Sequence, residues 1–76
     1  MIRLSAYYDV DPYLAHEQVP LMDGCAEVAA GMSPIGFRAN VGQRQRELVF
    51  EFSTQATADT AKANLIKSGF RLEPRT

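Results

Sequence analysis

The sequence predicts an α+β domain in which four strands and two helices follow one another in the order βαββαβ. Three observations carry this prediction: apolar residues alternate at the strand period in some segments, they recur at the helical period in others, and glycine or proline lies at the boundaries. With 76 residues, the chain has room for a single domain, residues 1–76, that is built around one small core.

Alternation of apolar and polar side chains predicts strands over residues 2–9, 35–41 and 47–53. The inward-facing residues of these strands are Ile2, Leu4, Ala6, Tyr8, Ile35, Phe37, Ala39, Val41, Leu48, Phe50 and Phe52. The polar segment 42–47 contains a glycine and predicts a hairpin, so the second and third strands are expected to be antiparallel neighbours. A short last strand is expected at 70–73, with Phe70 and Leu72 inward, and Pro74 stops it.

The first helix is predicted over residues 20–31, with Pro20 in its first turn and Gly31 after its end. Its expected buried face, which places Cys25 in the core, comprises Leu21, Cys25, Val28, Ala29 and Met32. For the preceding residues 10–19 the sequence allows two alternatives. They form either a loop or a separate helical turn, which Asp11 would cap and Pro12 would begin.

The second helix is predicted between the third and fourth strands, with Thr54 or Thr57 as its N-cap. Its expected buried stripe comprises Ala58, Ala61, Leu65 and Ile66. Gly69 suits the left-handed position after the helix, and Phe70 is expected to pack back onto it.

The order βαββαβ with right-handed crossovers predicts a ferredoxin-like two-layer sandwich. Its four-stranded antiparallel sheet, of order 4-1-3-2, would carry two helices on one face and leave the other face open to solvent. An RNA recognition motif carries two or three stacking aromatic residues on such a face, whereas Tyr7 is the one aromatic residue expected here. Nucleic acid is therefore not an expected partner.

The composition excludes several classes of function. The net charge of −1 and the 22% of charged residues are typical of soluble globular proteins. No apolar run is long enough to span a membrane, and the N-terminus lacks the apolar region of a signal peptide, so we expect a cytoplasmic protein without membrane contact. One cysteine and one histidine are too few for an internal disulfide or a structural zinc site, and no metal or cofactor is predicted.

The segment DVDPYLAHEQVP, residues 9–20, contains the side chains best suited to metal binding or acid–base catalysis. These are Asp9, Asp11, His16 and Glu17. These could form a metal site or an acid–base pair, although their spacing matches no established ligand pattern. The favoured alternative is that Asp11 caps a turn while His16 and Glu17 face solvent, so no catalytic residue is predicted. Residues 9–19 contain no arginine or lysine, which excludes the phosphate-binding loop of acylphosphatases.

The string YYDVDP resembles the first-strand pattern of the CRISPR-associated adaptation nucleases and the related VapD-like endoribonucleases. Those enzymes are ferredoxin-like and place an aspartate at the end of strand one. The resemblance implies a metal-dependent nuclease in which Asp9 binds a metal ion across a dimer interface.

The leading prediction is a small non-enzymatic interaction protein that binds, and regulates or inhibits, another macromolecule, and the expected partner is a protein. Its size suits an accessory protein of a phage, a plasmid or a bacterial operon. The candidate partner-binding residues are Tyr13, Leu14, His16 and Glu17 in the first loop and Arg38, Arg44 and Arg46 around the hairpin. The alternatives are the nuclease that uses Asp9 and a ligand-sensing homodimer, so either a monomer or a homodimer is expected.

Overall fold

The computed structural model describes residues 1–40 and 44–74, except for the side chain of Asn40. The elements follow in the order β1 (Ile2–Asp9), α1 (Ala15–Ala30), β2 (Gly36–Asn40), β3 (Gln45–Phe52) and α2 (Gln55–Lys67). β3 is the central strand, because both β1 and β2 pair with it antiparallel. The sheet order is therefore β1-β3-β2.

The predicted four-stranded ferredoxin-like sheet of order 4-1-3-2 is wrong, because the described residues form a three-stranded sheet. The segment expected as a fourth strand makes a single bridge, in which Tyr7 and Arg71 exchange backbone hydrogen bonds of 2.8 and 2.9 Å. The chain bends at Leu72 and Glu73 directly after this bridge, and Pro74 has no N–H to donate. The broader α+β class is compatible with two helices and an antiparallel sheet.

The core lies between the two helices and one face of the sheet, where the alternation in β1 and β3 sends its apolar side chains. Its buried members are Leu4, Ala6, Tyr8, Ala26, Leu48, Phe50, Phe52, Ala58, Ala61, Leu65 and Phe70. The ring of Phe70 meets that of Tyr8 edge to face, with 5.8 Å between the centroids. Phe70 thus belongs to the core although it lies outside any strand.

α2 forms as the sequence predicts. The Thr54 hydroxyl accepts a hydrogen bond of 3.2 Å from the backbone N–H of Thr57, which caps the helix. Gly69 takes a φ of 93°, and the N–H of Phe70 donates to the carbonyl of Leu65 at 2.9 Å. Ala58, Ala61 and Leu65 are buried as expected, whereas Ile66 is exposed.

α1 differs from its prediction in both length and orientation. It begins at Ala15, directly after a turn at residues 12–14, so Pro20 lies inside it. Three of the five residues predicted to be buried face solvent: Leu21 is 71% exposed, Val28 is 84% exposed, and Cys25 is exposed. The other two, Ala29 and Met32, are partly buried against the core. The helix instead turns Met22, Ala26 and Ala30 toward the core.

β2 is also less covered than its apolar pattern predicts. Ile35, Phe37 and Ala39 are exposed, and Val41 lies outside the described residues. Phe37 pairs with Leu48 and therefore shares the helix-side face, but the helices lie over β1 and β3. The edge strand thus leaves apolar side chains uncovered on that face.

Candidate functional site

The two segments predicted to contact a partner meet at one end of the molecule. The N–H of Val10 donates to the carbonyl of Arg44 at 2.7 Å, which ties the loop after β1 to the start of β3. Between them lies a groove of about 210 Å³, here called the end groove. Its lining comprises Val10, Pro12, Val19, Ala39 and residues 44–46. Since drug-sized ligands occupy about 300 Å³ or more, this groove suits one or two side chains of a macromolecule.

The loop beside the end groove is held in place by the side chain of Gln18. Its Nε2 donates to the carbonyl of Asp9 at 2.7 Å, and its Oε1 accepts from the N–H of Asp11 at 2.8 Å. The carboxylate of Asp11 in turn accepts from the N–H of Tyr13 at 2.9 Å, which forms an Asx-turn. The interpretation of Asp11 as a turn-forming residue therefore agrees with these contacts, and the turn presents Tyr13 to solvent.

Four of the predicted partner-binding residues lie exposed near this loop, which are Tyr13, Leu14, His16 and Glu17. Tyr13 is 94% exposed, so its ring is available to a partner. A large apolar ring held in solvent by a fixed turn gains free energy when a partner covers it.

Arg46, which the sequence placed at the tip of the hairpin, instead points inward. Its Nε and Nη2 donate to the carboxylate of Asp23 in α1, at distances from 2.8 to 3.2 Å. The two side chains are only 19% and 18% exposed. The hydroxyl of Tyr8 donates to the same carboxylate at 2.8 Å. Arg46 is therefore engaged inside the protein and is not a free cation.

The electrostatics of this inner cluster follow from its burial. Burial raises the pKa of Tyr8, and its hydrogen bond to the Asp23 carboxylate raises the pKa further. The hydrogen bond to Asp23 also raises the pKa of Arg46. The cluster therefore consists of the neutral phenol of Tyr8 and the ion pair between Arg46 and Asp23, and it has no net charge.

Arg46 also connects the end groove to the uncovered side of β2. Its guanidinium carbon lies 4.7 Å from the centroid of the Phe37 ring, which is a cation–π contact. Phe37 and Ala39 lie two residues apart on the same face of the strand. The apolar lining of the groove thus continues onto the exposed ring of Phe37.

The remaining predicted cations lie on the hairpin. Arg44 is exposed and lines the end groove, with a φ of 54° that non-glycine residues rarely adopt. Its carbonyl bond to Val10 helps to hold that conformation. Arg38 is exposed on the opposite face of the sheet, so the structure does not bring it to the groove.

The polar side chains on the open face of the sheet form hydrogen bonds and ion pairs across strands. Arg3 donates to Glu51 at 3.1 Å, and the hydroxyls of Ser5 and Tyr7 donate to Glu47 at 2.6 and 3.1 Å. Burial raises the pKa of Tyr7, and so does its hydrogen bond to the Glu47 carboxylate. These polar side chains therefore bind one another across β1 and β3.

Asp9, the residue of the nuclease hypothesis, lies on the same open face. Its carboxylate accepts a hydrogen bond of 2.9 Å from Arg71, which also donates to the amide oxygen of Gln45 at 3.0 Å. Within residues 1–40 and 44–74, no three histidine, cysteine, aspartate or glutamate side chains lie together as metal ligands. The role of Asp9 in metal binding stays a prediction.

Comparison with protein-family models, with curated proteins and with solved structures gives no significant match to this chain. Neither described helix is long and apolar enough to cross a membrane.

Sequence reasoning missed two residues that build the site. Gln18 and Asp23 carried no motif, yet one fixes the loop and the other holds Arg46. A signal for Arg46 was present, because it shares the alternation of Leu48 and Phe50 and must therefore point to the helix side. A cation that points toward a helix requires an acid there, and Asp23 is the acid in the matching part of α1.

Proposed function

We propose that this chain is a cytoplasmic protein-interaction domain that binds a segment of another protein in the end groove. The observation that carries the proposal is the meeting of the first loop with the start of β3 around an apolar groove. Exposed Tyr13 and Leu14 lie on the loop that borders this groove. A partner that covers these side chains would gain the free energy of apolar burial.

The charges at the rim define the partner further. Arg44, which lines the groove, is the exposed cation on the hairpin side, and Asp11, between the lining residues Val10 and Pro12, is the exposed acid on the side of the loop. Because Arg46 is neutralised by Asp23, it does not add to the charge of the rim. A complementary segment would place an apolar side chain in the groove, an acidic residue toward Arg44 and a basic residue toward the loop.

A displayed library of short random peptides, selected on the immobilised full chain, tests this function. We expect enriched peptides with an apolar residue between an acidic and a basic residue. Affinities of synthetic versions are then measured by fluorescence polarisation. Ala39→Glu, which places a charge in the lining, and Arg44→Glu, which reverses the rim charge, should each weaken binding at least tenfold.

Each variant has a matched control outside the groove. Ala56→Glu makes the same change at an exposed alanine of α2, and Lys62→Glu reverses a charge on that helix. Both should bind as the unchanged chain does. Circular dichroism confirms that all four variants fold. A library without enrichment, or equal losses for Ala39→Glu and Ala56→Glu, would contradict the proposal.

A further inference from the structure

β2 lies at the edge of the sheet, beside the end groove. It pairs with β3 on its inner side, and no strand among the described residues pairs with its outer side. An unpaired edge presents backbone N–H and C=O groups that can bind a further strand. Ala39 belongs both to β2 and to the lining of the end groove. A segment bound in the groove can therefore reach this edge.

The hydrogen bonds of β1 show which way the backbone groups of β3 point. Tyr7 uses its N–H and C=O for Arg71, on the side of β1 away from β3, so its pair with Glu47 is not hydrogen-bonded. Glu47 therefore directs its own backbone groups away from β1, toward β2. Val49, two residues further on, follows the same pattern, because its carbonyl accepts a hydrogen bond of 2.7 Å from the N–H of Ile35, just before β2.

This pattern assigns the backbone groups of Phe37 and Ala39 to the outer edge. Glu47 pairs with Arg38, so the backbone groups of Arg38 point inward to β3. Successive residues of a strand alternate, and the N–H and C=O groups of Phe37 and Ala39 therefore point outward. The side chains of both residues are exposed and lie on the helix side of the sheet. The same two residues thus present backbone hydrogen-bonding groups and apolar side chains.

Arg38 lies between these two residues, and its side chain is on the open face of the sheet. It is exposed and forms no ion pair with the residues that the structure describes. Its neighbour Glu47 accepts hydrogen bonds from Ser5 and Tyr7. On an added antiparallel strand, the residue opposite Arg38 belongs to a non-hydrogen-bonded pair, in which the side chains are closest. An acidic residue at that position would pair with Arg38.

We propose that β2 binds an extended segment of a partner protein as an added antiparallel strand with an acidic residue opposite Arg38. The inference rests on the proposed function, because the strand continues the segment that the end groove binds. The residues on either side of the acid lie on the helix side, where they cover Phe37 and Ala39. The segment therefore has the pattern apolar, acidic, apolar. Backbone hydrogen bonds hold it in place, and the alternate side chains give specificity.

The charge of β2 favours such a foreign strand over a second copy of β2. β2 contains Arg38 and no acidic residue. An antiparallel pair of copies that sets Phe37 against Ala39 places the two Arg38 side chains opposite each other, and like charges in that position destabilise a sheet. Registers shifted to either side place Gly36 or Asn40 opposite Arg38. Each of these registers leaves Arg38 without an acidic partner.

Amide hydrogen exchange of the full chain, measured by NMR, tests the strand pairing. The probe is a capped nine-residue peptide in which threonine alternates with valine and aspartate replaces the central threonine. In the free chain, the amides of Phe37 and Ala39 should exchange quickly and that of Arg38 slowly. Near saturation with the probe, exchange at Phe37 and Ala39 should slow at least tenfold, while the amides of α2 should not change. Unchanged exchange at Phe37 and Ala39 would overturn the proposal.

A charge exchange tests the acidic position. Fluorescence polarisation should show that Arg38→Glu binds the probe at least tenfold more weakly than the unchanged chain does. The same variant should prefer a probe with lysine in place of the aspartate. Lys62→Glu is the matched control on α2 and should bind both probes as the unchanged chain does. Circular dichroism confirms that both variants fold, and an unchanged preference for aspartate in Arg38→Glu would contradict the proposal.

N-methylation of the probe separates strand pairing from binding in the end groove. The amides of the two valines beside the aspartate face β2 in the proposed pairing, whereas the amide of the aspartate faces away. A methyl group on either valine amide should weaken binding at least tenfold more than one on the aspartate amide, and equal losses would overturn the inference. Selected peptides that lose binding with Ala39→Glu but leave the exchange at Phe37 unchanged would support the end groove alone. A library without enrichment, beside a probe that protects Phe37, would support the strand alone.

Discussion

The two helices of this chain carry apolar residues at the same period but use them differently. α2 buries Ala58, Ala61 and Leu65 against the sheet, and its cap at Thr54 fixes where it starts. α1 fully buries Ala26 alone and turns Leu21 and Val28 to solvent. Helical periodicity therefore identifies an apolar stripe, but it does not show whether the same chain covers that stripe.

The attachment of α1 to the sheet explains this difference. Its contact with β3 includes the ion pair between Asp23 and Arg46, which Tyr8 completes by donating to the same carboxylate. Asp23 must face the sheet for these bonds to form, and Leu21 and Val28 lie on the other side of the helix. A polar contact thus sets the rotation of α1, whereas apolar packing sets that of α2.

The largest expected effect comes from the apolar contact of α2. Leu65→Ala leaves a cavity at a fully buried position, so the free energy of unfolding should fall by about 2–5 kcal/mol. Urea unfolding, followed by circular dichroism, measures the change. Ile66→Ala is the neighbouring control and should stay within about 0.5 kcal/mol of the unchanged chain, because Ile66 is exposed. Equal losses for the two variants would mean that α2 packs through a different face.

The next effect tests the polar attachment of α1. Asp23→Ala removes the partner of a mostly buried guanidinium and the acceptor of Tyr8, so the free energy of unfolding should fall by about 2–3 kcal/mol. Glu51→Ala breaks the ion pair with Arg3, whose side chain is 72% exposed, and should cost less than about 1 kcal/mol. The same urea experiment compares the two variants. A loss for Asp23→Ala no greater than that for Glu51→Ala would show that α1 does not depend on this contact.

The sequence predicted what depends on neighbours along the chain. β1, β3 and α2 follow from alternation, from Thr54 and from the turn at Gly69, which are all local signals. The fourth strand was wrong because Phe70 continues the apolar pattern, while the bend at Leu72 and Glu73 ends the pairing after one bridge. The periodicity of apolar residues does not predict the position of such a bend.

The candidate site was predicted in its parts but not in its assembly. The loop around Tyr13 and the hairpin arginines were both identified as contact residues, yet their meeting depends on a bond between Val10 and Arg44, which are distant in sequence. The rotation of α1 likewise depends on Asp23 finding Arg46 across the fold. Contacts of this kind follow from the folded arrangement and leave no local periodicity to detect.

The smallest expected effect completes the comparison of the helices. Leu21→Ala makes on α1 the change that Leu65→Ala makes on α2, but Leu21 is exposed in the single chain. At low micromolar concentration, the free energy of unfolding should therefore change by no more than about 0.5 kcal/mol. Urea unfolding, followed by circular dichroism, measures the change. A large loss in dilute solution would show that α1 buries Leu21 against its own sheet, and the two helices would then follow the same rule.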